Sequence, residues 1–315
     1  MYLHPLLTSL DGSGLGAYFH QHHVPGVCYA DDLLLMSSNY KHLGTLLGLV
    51  SEFARRWRLD FVHVDPGKTK SHCVVFGSEL LAREPTWSLS GQQLQTRATS
   101  EHLGVVLESR LTATHHVDQR VKRARAAFYG LAPAGVLAKA LCPSDKAFLW
   151  KTVVLPVLLY GCNTAPLRSS DIERLDALQA SCVKVAFGLP RSAHHSALLA
   201  AAGLPPVHES LRGAALRTFR SAMSGHHRLQ QVLTTSVAEL ALHPSNAAGS
   251  FLHQIYAMCN ASFGAVMELA AGGAIDSDRV RAPRMPNGLE DSIRQVLHGN
   301  CEASRRLLRL LTCWH

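Results

Sequence analysis

Two adjacent carboxylates stand in the run Tyr29-Ala30-Asp31-Asp32. Holding like charges side by side is costly unless a cation shares them, and hard divalent ions take oxygen ligands of this kind. With 7 tyrosines in the chain, composition alone produces a Y-x-D-D about 0.01 times. The bland alternative is an acidic turn facing water. Lys68, in Asp65-Pro66-Gly67-Lys68-Thr69, reads on its residue type and place as a solvated turn lysine. Arg120, Lys122, Arg123 and Arg125 crowd into one segment, which is either a phosphate-contacting face or a solvated basic one. The pairs His115-His116, His194-His195 and His226-His227 lack partner ligands at metal spacing and read as surface or loop histidines. Cys301, Cys313 and His315 have the ligand types of a zinc knuckle but not its spacing, and read as buried thiols and a chain end.

The elements that must position these groups follow from hydrophobic periodicity. In residues 26–37, GVCYADDLLLMS, apolar β-prone runs flank the acidic pair. That pattern predicts a hairpin with both carboxylates at a solvent-reachable turn. A helix follows, with Tyr40, Leu43, Leu46, Leu47, Val50, Phe53, Ala54 and Trp57 on one face and Ser38 or Asn39 as its cap. This helix is expected to pack beneath the hairpin. Strands are expected at Leu59–Val64 and Cys73–Phe76 around the Asp65-Pro66-Gly67 turn, then near Thr86–Leu89 and His102–Val106. From residue 114 helical spacing takes over, which places a domain boundary near 110. Expected helices cover 114–130 and Asp145–Tyr160, then a segment opened by a Ser170/Glu173 capping box, then 207–223, 227–242, 250–271 and 289–312. A loop is expected over Gly272–Gly288. With apolar Tyr2, Leu3, Leu6 and Leu7 at its start, MYLHPLLTSL is expected to open inside a helix of a larger fold.

The bulk numbers describe an ordinary globular chain: 315 residues, 47% hydrophobic, 17% charged, with mean hydropathy +0.05. A net charge of +8 and a pI near 9.2 favour polyanions, nucleic acid first, and the excess is spread along the chain. Eight cysteines without a C-x-x-C pair or a secretory leader suggest reduced thiols in an intracellular protein, nuclear or cytoplasmic and not secreted. No apolar run approaches the length of a bilayer span, so no membrane is expected.

The tetrapeptide and its flanks resemble the palm hairpin of reverse transcriptases, and the order of later segments is similar to the non-LTR (LINE-type) retrotransposon branch. The likeness covers about residues 1–225. MYLHPLLTSL resembles the helix that follows the family's Q-G motif, and Gly14-Leu15-Gly16 the link before the metal motif. Asp65-Pro66-Gly67-Lys68-Thr69 resembles N-x-x-K-T, with Asp in place of Asn. Leu103-Gly104-Val105 resembles an L-G-V strand, and Leu155-Pro156-Val157-Leu158-Leu159-Tyr160-Gly161 a P-x-L-x-Y-G helix end.

The fold this resemblance implies is α+β: a partial polymerase palm of β-hairpin and helix over 1–110, a helical thumb over 111–225, and a helical C-terminal region of unassigned role over 226–315. The implied activity is RNA-directed DNA polymerisation by two-metal phosphoryl transfer, with Mg2+ as cofactor and an RNA template, a DNA primer and deoxynucleoside triphosphates as partners. Asp31 and Asp32 would be the catalytic metal ligands, and Lys68 would meet the leaving pyrophosphate. Tyr29 would pack at the primer end, Leu103 and Gly104 would grip the primer, and Arg120, Lys122, Arg123 and Arg125 would track the duplex backbone. The family's other metal-binding aspartate and its nucleotide-clamping fingers have no match here, and Asp11 sits in the turn-like Asp11-Gly12-Ser13-Gly14. The expectation is a fragment inactive alone. Its rivals are a non-catalytic nucleic-acid-binding protein built on a decayed or recruited copy of that fold, and a helical interaction protein whose Y-A-D-D is accidental.

Overall fold

The computed structural model describes residues 3–19, 21–59, 71–77, 86–138, 141–225 and 227–242, with the isolated positions 252, 255 and 266. Helix α1 (His4–Gly12) opens with Pro5 in its first turn, where the missing N–H costs no helical bond. Leu6 and Leu10 point inward, as their four-residue spacing requires. Asp11 belongs to this helix rather than to a turn, and it pairs with Arg228 at 2.9 Å.

Two hairpins follow, β1 (Ala17–Phe19) with β2 (His22–Val24) and β3 (Gly26–Tyr29) with β4 (Asp32–Leu35). Helix α2 (Tyr40–Trp57) starts where Asn39 Oδ1 accepts the Lys41 N–H at 2.9 Å, so Asn39 is the cap. Its central face, Leu46, Leu47, Val50 and Ala54, is buried, whereas Tyr40 and Trp57 at its ends are about half exposed.

The expected strand at 73–76 is only β5 (His72–Cys73), and that at 86–89 only β6 (Ser88–Leu89), which turns through left-handed Ser90 and Gly91 into β7 (Gln92–Gln93). Two bonds to α2 fix this piece: Trp87 Nε1 donates to the Tyr40 carbonyl at 3.0 Å, and the Ser90 N–H donates to Ser51 Oγ at 2.9 Å. β8 (Gln95–Thr96) runs parallel to β5. Cys73, Trp87, Leu89 and Leu94 join α1 and α2 in one core, and Leu33 and Leu35 of β4 pack against it. The helix therefore does lie beneath the hairpin.

The strand expected across 102–106 is instead a hairpin. β9 (Thr99–His102) turns at Leu103 and Gly104, with φ of +50° and +77°, into β10 (Val105–Glu108). Beyond it no strand occurs among the described residues. Helix α3 (Thr114–Gly130) is capped from β10: Glu108 accepts the His115 N–H at 2.7 Å and the Thr112 hydroxyl at 2.6 Å. Burial raises the Glu108 carboxyl's pKa, and these bonds with the nearby His115 outweigh it and bring the group below its ordinary value.

α4 (Pro143–Leu149) runs through a π-helical turn at Trp150–Val154 into α5 (Leu155–Leu159). Pro156 cannot donate to the turn before it, and the wider turn accommodates that gap: the Leu155 N–H reaches the Trp150 carbonyl. Helix α6 (Ser169–Ala186) is capped by Asp171, whose carboxylate accepts the Arg168 N–H, and not by the Ser170/Glu173 box. α7 (His195–Ala202), α8 (Val207–Met223) and α9 (His227–Leu242) complete the described chain. α3 through α8 enclose a second core around Phe128, Trp150, Leu158, Leu175 and Leu211, in which Phe128 meets Trp150 edge-on with ring centroids 6.2 Å apart. The architecture is mixed helix and sheet, with every described sheet two-stranded. No helix among the described residues is long and apolar enough to cross a membrane.

Candidate functional site

The carboxylate hairpin has a two-residue loop, Ala30–Asp31, with Tyr29 directly opposite Asp32. Ala30 takes the left-handed conformation that closes it, at φ +55°. The period-2 register sorts the side chains: Cys28, Leu33 and Leu35 share the core-facing side, while Val27, Tyr29, Asp32 and Leu34 share the outer one. Both aspartates are exposed, and Tyr29 beside them is two-thirds exposed. The Cys28 thiol is pushed up first by burial and then by the charges of Asp31 and Asp32, so it feels a negative field at this tip. Such a pair fits a Mg2+ ion held through one or two carboxylates, with water and substrate phosphate filling the remaining positions. Among the described residues no cluster of three or more acidic, His or Cys ligands accompanies it. The pair fits one ion more readily than two.

A second group of residues singled out by sequence meets at the β9–β10 turn. Tyr160, directly after α5, donates its hydroxyl to the Leu103 carbonyl at 2.8 Å. Arg120 of α3 donates Nη2 to the Gly104 carbonyl at 3.1 Å, and its guanidinium lies 5.3 Å from the centre of the Tyr160 ring. A Cβ on Gly161 would fall 2.8 Å from His116 Nε2 and Val105 Cγ2, so close approach requires glycine there, while one on Gly104 would sit 3.2 Å from the Tyr160 ring and press it back. His116 is fully buried between them. Its Nδ1 accepts the Val106 N–H at 3.2 Å, so the ring is neutral with its proton on Nε2, which donates to the Tyr160 carbonyl at 2.9 Å. Burial, with Arg120 and Arg123 nearby, lowers the His116 pKa despite the Tyr160 carbonyl bond.

These contacts correct three expectations. Arg120, placed by sequence on a duplex-facing surface, is 4% exposed and serves the turn from within. His116 is a core residue and not a surface histidine. Leu103-Gly104-Val105 is a turn entering a strand, not one strand. Of the remaining basic residues, Arg123 is half exposed and pairs with Glu101 at 3.0 Å. Lys122 and Arg125 are exposed and form no ion pair among the described residues. Tyr129, half exposed, lies one turn beyond Arg125 on that outward face.

The structure thus brings Leu103, Gly104 and Arg120 together around Tyr160, with Arg123 paired to Glu101 of β9, and Tyr29, Asp31 and Asp32 together on the hairpin. Lys68, with the Asp65-Pro66-Gly67 turn and Leu59–Val64 apart from Leu59 itself, lies outside the described residues. So do the expected loop at Gly272–Gly288, the segment 289–312, His226, Cys301, Cys313 and His315, and most of 250–271. Sequence reasoning missed Glu108 as the acceptor that caps α3, and His116 and Tyr160 as the groups that form the joint between the β9–β10 hairpin and helices α3 and α5. A signal existed for His116 and Arg120: they fall at helical spacing with Ala113, Val117, Ala124 and Phe128, all buried.

Comparison of the chain with family models, with curated proteins and with solved structures gives no match in any of the three.

Proposed function

We propose that this chain is a palm-and-thumb portion of an RNA-directed DNA polymerase of the non-LTR retrotransposon kind, and that it binds a primer–template duplex. The observation that carries the reading is the hairpin: Asp31 in a two-residue loop, Tyr29 opposite Asp32, and Leu33 and Leu35 anchored on the α2 core. The basic outward face of α3 and the net charge of +8 support a polyanionic partner. In this role Asp31 and Asp32 attract a magnesium ion at the primer end, Tyr29 offers an aromatic surface beside them, and Lys122 and Arg125 meet backbone phosphates. A Mg2+ ion so held would draw charge off the phosphate under attack.

The described carboxylates make one edge of such a centre, and the opposing edge must come from another strand. The deciding experiment fuses the chain behind a fingers and upstream palm segment from a related polymerase. Template-dependent primer extension that vanishes in Asp31→Ala supports the proposal. A fusion that folds, binds duplex and stays silent favours the non-catalytic nucleic-acid-binding reading.

A further inference from the structure

From the end of α2 we infer that Trp57, with Arg56 and Arg58 beside it, is a contact for a single-stranded stretch of nucleic acid, with a base stacked on the indole and phosphates on the guanidiniums. The inference rests on the nucleic-acid reading above. It adds a second surface, on an element that neither the carboxylate tip nor the outward face of α3 includes, and the kind of strand that surface takes.

The last turn of α2 reads Phe53-Ala54-Arg55-Arg56-Trp57, with Arg58 at the C-cap. Helical spacing sorts these side chains. Ala54 is buried, and Phe53 packs against the core shared by α1 and α2. Arg56 and Trp57 follow Phe53 at three and four residues, which places both on its flank of the helix. The Phe53 ring props the indole, with ring centroids 5.8 Å apart and the planes tilted by 31°. Half of Trp57 nevertheless stays open to solvent, and Leu59 just beyond the cap is also exposed. Arg55 lies on the far side of the helix from Trp57 and adds positive potential without reaching the same spot.

The bland account of such a run is that cations complement the negative end of a helix. It covers the arginines and leaves the indole unexplained, since burying Trp57 would remove more apolar surface from water than burying any other side chain of α2. Arg55, Arg56 and Arg58 are exposed, and none forms an ion pair among the described residues, although Glu52 stands one turn before Arg56. Three cations thus share this end of the helix with one acid, and the surface attracts a polyanion. Guanidinium groups match phosphate in shape and shed water readily. An indole stacks on any base, but a base inside a duplex is already stacked on both sides, so the fitting partner is an unpaired strand. An anionic membrane fits less well. A helix that lies in a membrane surface turns its apolar face to the lipid, whereas Leu46, Leu47, Val50 and Ala54 of α2 face the protein core.

The test is fluorescence anisotropy with the intact chain, a labelled single-stranded oligouridylate and a blunt duplex. Trp57→Ala is expected to raise Kd for the single strand about tenfold, the loss of one stack, and to leave Kd for the duplex within about twofold. Trp57→Phe should recover part of the loss, because phenylalanine keeps a ring. Arg56→Gln/Arg58→Gln should flatten the single-strand slope of log K against log salt by about 1.4, at roughly 0.7 per phosphate. If Trp57→Ala does not fold, the arginine pair decides alone. Single-strand Kd and salt slope unchanged in these variants, while Lys122→Glu/Arg125→Glu weakens duplex binding, overturn the inference and leave the nucleic-acid reading standing. Release of the chain from phosphatidylserine vesicles by Trp57→Ala, with oligonucleotide binding intact, also overturns it and makes the patch a membrane contact. A wild-type chain that binds neither strand nor duplex overturns both.

Discussion

Reversing the two outward basic residues of α3, in Lys122→Glu/Arg125→Glu, probes the duplex-binding face without touching the core. The choice of positions comes from the structure. Arg120→Glu would put an anion where the Gly104 carbonyl and the Tyr160 ring now hold a cation, so its effect would report unfolding and not binding. Arg123 already spends part of its charge on Glu101. Lys122 and Arg125 are exposed, have no ion-pair partner among the described residues, and lie near each other on the wheel, so each can neutralise one phosphate. Each phosphate contact contributes roughly 0.9 to the slope of log K against log salt, so the double reversal flattens the slope by about 2. Between 50 and 200 mM salt the wild type should therefore lose about tenfold more affinity than the variant loses. Filter binding over that range, on two duplexes of unrelated sequence, reads the slopes directly. The two sequences should respond alike, because phosphate contacts carry no base information. Parallel lines for wild type and variant would refute the assignment of this face.

Two further outcomes test the joint behind that face. The His116 pKa is lowered in the folded protein, so between that value and about 6.5 the unfolded chain binds more protons. Its contribution is complete above pH 6.5 and is lost as pH falls through the folded-state pKa, at no more than about 1.4 kcal/mol per pH unit. Urea denaturation at pH 7.5 and 5.5 should show the decline, and His116→Gln, which keeps one acceptor and one donor, should reduce it. An equal decline in both proteins would assign it to other groups, His195 among them. Gly161→Ala puts a methyl 2.8 Å from His116 Nε2 and Val105 Cγ2 on backbone at φ +74°. The expected loss is about 2–4 kcal/mol in a urea titration, and a loss below about 1 kcal/mol would show that the joint yields easily.

The parts legible in the sequence were those whose signals are local. The α2 helix announces itself by an apolar stripe and by Asn39, and the acidic hairpin by β-prone runs on both sides of two aspartates. What could not be read was set by partners far along the chain. Leucine gives no sign of a left-handed turn, and the groups that hold this turn's carbonyls come from elsewhere: Tyr160, 57 residues later, at Leu103, and Arg120 at Gly104. The spacing rule that buries Val117 and Ala124 also turns Arg120 and His116 inward, against the usual preference of charged and polar residues for water. The α6 cap went to Asp171 because the helix begins at Ser169, and a shift of that size at a helix end is within what capping signals resolve. Asp11 and Arg228 meet across 217 residues, a pairing no local pattern encodes.

The most direct test of the account is cleavage by iron bound in place of magnesium. With Fe2+ and ascorbate, a chain bound to primer–template duplex should generate radicals at Asp31 and Asp32 and cut the primer strand within a few nucleotides of its 3′ end. Asp31→Asn/Asp32→Asn should abolish those cuts and leave duplex affinity close to wild type. Cuts that are absent from the wild type, or that persist unchanged in the double variant, would contradict the claim that this hairpin holds a divalent ion at the end of a bound primer.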